Sequence, residues 1–477
     1  MKILHISLEC YPAAKAGGMG DVVGALPIYL NKAGEEATVI IPKHRTKWLE
    51  AQSYETIIQG DMRLHHGSVN YAIQKVKNDT LGFDLYVADI PGKFDRPGVY
   101  TDEHGRGYGD EIERHVCFQQ AVLQWVISME KRPDVLHCHD HHTGLIPFMI
   151  NYCPEYKSLS SIPTVFTIHN GAYHGIFPKD SIHLLPYFDA GGLNILEWDN
   201  LINPLATAIK CCWRFTTVSN AYLEELKGNS NGLESLINSE IRKAHGILNG
   251  IDNATWNPKT DAYISTPLKK SVKTFKEKNK KTILERFNIS PDIPIITFIG
   301  RLVKEKGADI IPSLVRRMLG EGKQVGFVVL GTGMQELHHA FAQLAHEYPT
   351  RFDVSLEYNE QLAHQLYAGS DFLLMPSRIE PCGLNQMYAC RYGTIPIVRS
   401  VGGLRDSIPD MGESDGSGLG IRFDQFNLED AAYTTWRAIE IYNNTSSFNE
   451  LREKIMKVDF SWEKSAKDYV EIYKALN

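Results

Sequence analysis

Five short segments concentrate the side chains that could do chemistry, and each follows an apolar run. The first, KAGGMGD (Lys15–Asp21), sets a lysine before paired glycines. Glycines ahead of a helix let backbone N–H groups approach an anion, with the helix dipole assisting. The spacing is neither that of a P-loop nor GxGxxG, so a phosphate cradle and a structural tight turn both stay open. The second, HCHDHHTG (137–144), carries four histidines and Asp140. Zinc is one reading, but the histidines lack helical i, i+4 pairing and a second cluster. The preferred reading is a polar pocket wall in which Asp140 accepts hydrogen bonds from hydroxyls. The third, FTIHNGAYHG (166–175), adds His169 and Asn170. The fourth, FIGRLVKEKG (298–307), places Arg301 and Lys306 where two cations suit a diphosphate. The fifth, PSRIEPCGLNQ (376–386), holds Glu380 before a turn-forming Pro-Cys-Gly; a structural ion pair with a nearby cation is equally open. A GTG at 331–333 is a weaker anion loop.

The elements that position these segments alternate in kind. KILHIS, ATVIIP, DLYVAD, DVLHCH, PTVFTIH and RFTTVS predict strands before residue 220. Helical spacing separates them, as at 111–130. A second set, PIITFIG, QVGFVVLG, DVSLEY, DFLLMPS and TIPIVRS, follows residue 290. The pattern predicts βαβ units, mainly parallel sheets and two doubly wound α/β domains in series. Ligands bind beyond the carboxyl ends of such strands, where the unusual residues fall. The joint is placed near 248–262, rich in Asn, Gly and Pro. Seven lysines within 268–281 predict the solvated face of an amphipathic helix in preference to a nucleic-acid patch. Residues 462–476 predict a further helix.

At 477 residues the chain can bury large cores. A formal charge of −7 argues against general nucleic-acid binding. The absence of a long apolar run argues against a membrane span, and no signal peptide is expected. The eight scattered cysteines predict reduced thiols and a cytoplasmic setting. A NAD enzyme would need GxGxxG and an acid about 20 residues on, which the loop at 15–21 does not fit.

From end to end the chain resembles the bacterial glycogen synthase and plant starch synthase family of retaining GT-B glucosyltransferases. The likeness rests on KAGGMGDVVGALP, GVY at 98–100, HCHDHHTGL, FTIHNGAYHGIF, TVSNAYLEE, ILNGIDNATWNP, IGRLVKEKG and PSRIEPCGLNQMYACRYGTIPIV with GGLRD. The resemblance implies two Rossmann-like domains, 1–247 and 248–458, facing a central cleft, with a final helix at 459–477 returning to the first. It implies contact of Lys15 with the nucleotide diphosphate and close approach of Gly17 and Gly18 to the donor. Arg301 and Lys306 would hold the leaving diphosphate, Glu380 would bond the donor glucose, and His169 would lie beside the reacting carbon. Asp21, Asn249, Cys382, Gly383 and Leu384 fall on the nucleotide-sugar side, with Tyr358 near the base. Tyr100, Asp140 and Asn170 fall on the sugar and acceptor side. The donor implied is ADP-glucose and the acceptor glycogen or a malto-oligosaccharide, with no cofactor or metal. UDP-glucose as donor and a non-catalytic glucan-binding homologue are the alternatives. Glucan phosphorylase, on a related fold, would need a lysine that carries pyridoxal phosphate. Ala16, Met19, His141 and CCWRF (211–215) depart from the family pattern, and Tyr388 stands where many retaining GT-B enzymes carry a second acid.

Because fixed cations can neutralise a departing diphosphate, exhaustive chelation should leave glucosyl transfer at its full rate. Stoichiometric metal in the purified protein, with activity lost on its removal, is the contrary outcome.

Overall fold

The structure is a computed structural model that describes residues 1–64, 67–96 and 98–476. The chain divides into two compact units. The first comprises Met1–Val218, Leu223–Ile247 and the segment from Trp462; the second comprises Ser219–Tyr222 and Leu248–Ser461.

In the first unit the strands are β1 (Lys2–Ile6), β2 (Glu36–Pro42), β3 (Tyr54–Leu64), β4 (Gly67–Val76), β5 (Asp84–Asp89), β6 (Val135–His139) and β7 (Thr164–Ile168), then the short pair β8 (Glu197–Trp198) and β9 (Leu201–Ile202), β10 (Arg214–Thr217) and β11 (Ala244–Gly246). Apart from β8 and β9 they form one sheet in the order β11-β10-β7-β6-β1-β2-β5-β4-β3. Its centre is parallel, and β1, β6 and β7 are apolar runs because helices cover such sheets on both faces. The antiparallel β3 and β4 have no counterpart in the pattern analysis. Much of β3 is exposed or half-exposed, so neither alternation nor a continuous apolar run marks it.

The returning helix spans Trp462–Lys474, three residues later than expected, since Ser461 pairs with Ile251 in the second unit. Trp462, Tyr469 and Tyr473 share one core with Leu26, Leu30 and Val135. Gly24, in the helix Gly18–Lys32, lets that helix press against the loop after β1. A Cβ there would stand 2.4 Å from the carbonyl oxygen of Tyr11.

In the second unit β12 (Ile295–Ile299), β13 (Gly326–Leu330), β14 (Phe352–Ser355), β15 (Phe372–Met375), β16 (Ile395–Arg399) and β17 (Ile421–Phe423) form a parallel sheet in the order β14-β13-β12-β15-β16-β17. Each sheet therefore reverses its winding once, between β1 and β6 in the first and between β12 and β15 in the second. A doubly wound sheet opens a crevice at such a point, beyond the strands' carboxyl ends.

The lysine-rich segment corrects one expectation. It forms the helix Val272–Arg286, capped by Ser271 Oγ, but Lys276 is fully buried. Its ammonium donates to Thr394 Oγ1 (2.6 Å) and to the carbonyls of Tyr367 (3.0 Å) and Tyr392 (3.2 Å). Those carbonyls belong to the ends of two other helices, which leave acceptors unpaired. One turn on, Lys280 bonds Asp371 at 2.7 Å, and Arg452 meets that carboxylate's other oxygen at 2.7 Å. Lys276→Met should therefore lower urea-measured stability by roughly 1–3 kcal/mol. Lys278→Met, on the exposed face, should stay within about 0.5 kcal/mol of the parent.

Candidate active site

At the first unit's reversal, the loop after β1 is organised by Glu9, which is 2% exposed. Its Oε2 accepts the N–H groups of Ala16 (2.5 Å) and Gly17 (2.8 Å), and its Oε1 accepts the Tyr100 hydroxyl (2.6 Å). Tyr100 also stacks on His142 at 5.0 Å. The paired glycines thus follow a turn closed by a side chain. A Cβ on Gly17 would come no closer than 3.9 Å to any atom, and one on Gly18 would meet nothing within 4 Å. The fold does not require either glycine for packing, so the space they leave is available to a ligand. Lys15 is half-exposed and pairs with Asp21 at 2.7 Å; Asp21 acts on the lysine from within the helix's first turn.

Between β6 and β7, Asp140 takes φ +56°, ψ 174°, a conformation that side-chain-bearing residues avoid. Its N–H bonds the Thr167 carbonyl (2.9 Å), and its Oδ1 accepts the N–H of His169 (2.7 Å) and of Asn170 (3.4 Å). Burial pushes its pKa up to about 7, against the pull of these two N–H groups. Asn170 spends its own Oδ1 on the N–H of Ala172. His169 is 8% exposed and is held neutral by burial, its pKa pushed down to about 3.

At the second unit's reversal, Lys306 and Glu380 meet. The ammonium lies 2.8 and 2.7 Å from the two carboxylate oxygens, and Ser377 Oγ donates to Oε2 at 3.0 Å. Glu380 is 5% exposed. Arg301 follows β12 on an exposed side chain, 3.7 Å from Glu305. Gly383 has φ +71°, where a Cβ would crowd Gln386 and Glu380; Cys382 is buried, and Leu384 precedes the helix Asn385–Arg391. The turn is fixed from behind, where Gly403 N–H donates to the Glu380 and Pro381 carbonyls at 3.1 Å each. Asn249 is buried with its Oδ1 unpartnered among the described residues, an acceptor that folding leaves unused. Tyr358 lies beyond β14, 84% exposed. The GTG glycines are required by packing. A Cβ on Gly331 would stand 1.9 Å from the Gly300 carbonyl oxygen, and one on Gly333 2.4 Å from that of Leu302. They let β13's exit pack against the backbone around Arg301.

Among the described residues, one group could present three ligands to a metal: His5, His137 and His139, with ring nitrogens within 4.8 Å of one another. Both nitrogens of His137 are bonded, to Tyr473 Oη (2.7 Å) and Thr167 Oγ1 (2.6 Å). Both of His139 are bonded, to His5 (3.1 Å) and His169 (2.9 Å). Only Nε2 of His5 is uncommitted, so the donor set does not fit a cation.

Residues 2–239 match the starch synthase catalytic domain family, and residues 279–432 match glycosyl transferases group 1. The chain is 46% identical to the glycogen synthase of Flavobacterium johnsoniae, over 99% of this chain and 98% of that one. It is 36% identical to that of Geobacillus thermodenitrificans, over 100% and 98%. The catalytic domain of starch synthase IV from Arabidopsis thaliana, solved bound to ADP and acarbose, superposes with a TM-score of 0.87 at 29% identity, over 100% of this chain and 99% of that one. Sucrose-phosphate synthase from Thermosynechococcus elongatus shares the fold, with a TM-score of 0.62 at 16% identity. Fold and likeness together define a GT-B glycosyltransferase built of two Rossmann-like α/β domains. Within that class, the chain belongs to the glycogen and starch synthase family.

Neither Glu9 nor His5 is among the residues expected from sequence. The available signal was a lone acid just after a buried strand, and a histidine inside an otherwise apolar one. A prediction follows from Asp140. Its folded pKa lies above the unfolded carboxylate value, so the unfolded chain releases its proton first as pH rises from about 4 to 7. Stability contributed by this group is therefore greatest in acid and is lost on the way to neutrality. Asp140→Asn should unfold like the parent near pH 4. Near pH 8 it should be more stable by a few kcal/mol, roughly 1–4, in denaturant titrations at the two pH values.

Proposed function

We propose that the protein transfers glucose from ADP-glucose to the non-reducing end of an α-1,4-glucan, glycogen or a malto-oligosaccharide, with retention of anomeric configuration. The observation that carries this is the Lys306–Glu380 pair at the winding reversal of the second sheet, a partly exposed ammonium on a buried carboxylate. It joins a cation suited to a departing phosphate to a carboxylate suited to sugar hydroxyls. The ADP in the Arabidopsis starch synthase structure supports an adenine donor, as do the compact chain and the Lys-x-Gly-Gly loop. Ala16 contributes its backbone N–H, which any residue there would supply, and Met19 is buried. These two departures thus leave the loop's polar pattern intact. No helix among the described residues is long and apolar enough to cross a membrane. All eight cysteines are free, which supports a reducing, cytoplasmic setting.

In this proposal Lys15, Arg301 and Lys306 neutralise charge as the diphosphate leaves, and Glu380 positions the glucose. The acceptor hydroxyl attacks from the leaving-group face, and the departing phosphate takes its proton. Asp140, Asn170 and Tyr100 line the acceptor side. Asn249, Cys382, Gly383, Leu384 and Tyr358 shape the nucleotide-sugar side.

The deciding measurement compares kcat/KM for ADP-glucose and UDP-glucose at saturating glycogen. A clear preference for ADP-glucose is expected, since a site built for one base leaves polar groups unpaired with the other. An equal or higher value with UDP-glucose reassigns the donor. In the same assay Arg301→Ala should cut kcat about 100-fold or more with an unchanged Tm. Lys306→Ala should match it in rate but melt earlier, because Glu380 loses its partner. Near-normal turnover in either removes the charge assignment.

A further inference from the structure

Three imidazoles form a chain that runs inward from the candidate site. His169 Nε2 lies 2.9 Å from His139 Nδ1, and His139 Nε2 lies 3.1 Å from His5 Nδ1. His169 alone reaches the surface; His139 and His5 are 0% exposed. At the inner end, His5 Nε2 is buried with no partner among the described residues. His137 stacks on His139 at 4.3 Å and is itself fixed between Tyr473 and Thr167. The ring planes are thus held from outside the chain.

Burial keeps all three rings neutral, with their pKa values pushed far below that of a free imidazole, to about 3 for His5 and His169. A neutral imidazole has one N–H and one lone pair. Each link uses one of each, so the two links must point the same way. One polarity leaves an N–H on His5 Nε2, which has no acceptor among the described residues. The other leaves only a lone pair there and puts the outward N–H on His169 Nδ1. An orphaned buried N–H is the rarer and costlier defect, so the second polarity prevails.

We propose that His5 and His139 are positioning residues of the transferase site: they lock His169 as its Nδ1–H tautomer, so that it offers the bound sugar a hydrogen-bond donor and no base. This rests on the placement of His169 at the site, under the function proposed above. It assigns a task to two buried residues that touch no substrate. His169 then acts on an oxygen of the substrate by donation, and it neither takes nor delivers a proton during turnover.

The test uses the full-length protein with 15N-labelled histidine and long-range proton–nitrogen correlation. In the parent, His169 should show a protonated Nδ1 and a bare Nε2, unchanged between pH 5 and 8. A proton on Nε2, or titration within that range, overturns the proposal. His5→Asp puts a carboxylate oxygen, which can only accept, near the former Nδ1; His139 must then donate inward from Nε2, His169 should show a protonated Nε2, and kcat should fall about tenfold with the donor KM within twofold. The isosteric His5→Asn can place an amide N–H near the former Nδ1, and should restore both the spectrum and the rate. A folded His5→Asp with the parent's spectrum and kcat overturns the proposal. If His5→Asp does not fold, the parent spectrum and His5→Asn decide it. The spectra report the tautomer without turnover. Full activity in His169→Ala beside the expected tautomer would instead refute the site placement on which the proposal rests.

Discussion

A carboxylate taken out of water must be met by donors, and the loops of the first unit are arranged around one that is. Glu9 lies just past the end of β1, and the chain has to double back to bring two of its N–H groups to it. The helix Gly18–Lys32 can begin only after that return, so the helix start and the open space at Gly18 are consequences of one buried charge. The carboxylate's other oxygen fixes Tyr100, whose ring then stacks on His142 beyond β6. Three segments far apart in sequence are tied by a group that itself has almost no contact with solvent.

The second unit answers the same constraint differently. Glu380 is satisfied by an ammonium and a hydroxyl, while the backbone behind it is held at close quarters by Gly402 and Gly403. Gly307, at φ +70°, clears the Pro376 carbonyl where any Cβ would collide. This crowding makes the turn rigid, whereas the Lys306 side chain remains partly exposed. A buried acid held by a crowded turn thus sits beside a cation that still reaches solvent.

Much of this was legible in the sequence because buried parallel strands write themselves as apolar runs and chemistry collects at their ends. Lys306 and Glu380 each follow a strand, which marks both as candidates and leaves an ion pair of Glu380 with a nearby cation as one open reading. What escaped was whatever depends on neighbours distant in the chain. The β3–β4 hairpin carries no strong pattern because its faces are only partly buried. Lys276 looked like a solvated lysine among lysines, yet three acceptors from other segments capture it. Glu9 and His5 are single polar letters beside apolar ones, and their partners at 16, 17, 100 and 139 appear only once the sheet order is known. The GTG glycines show that a motif resembling an anion loop can be required by backbone packing alone.

Tyr473 and Trp462 complete a core whose other walls come from β1, β6 and the helix Gly18–Lys32. The ribosome makes those walls first, then all of the second unit, and only afterwards the helix that closes the first. During that interval the apolar flank of Leu26 and Leu30 lacks its cover, and His137 lacks the hydroxyl of Tyr473. A nascent chain interrupted before residue 462 therefore displays an open hydrophobic seam, a mark that chaperones and proteases can read. The order of synthesis thus leaves the first unit's core open until after the last strand of the second sheet has been made.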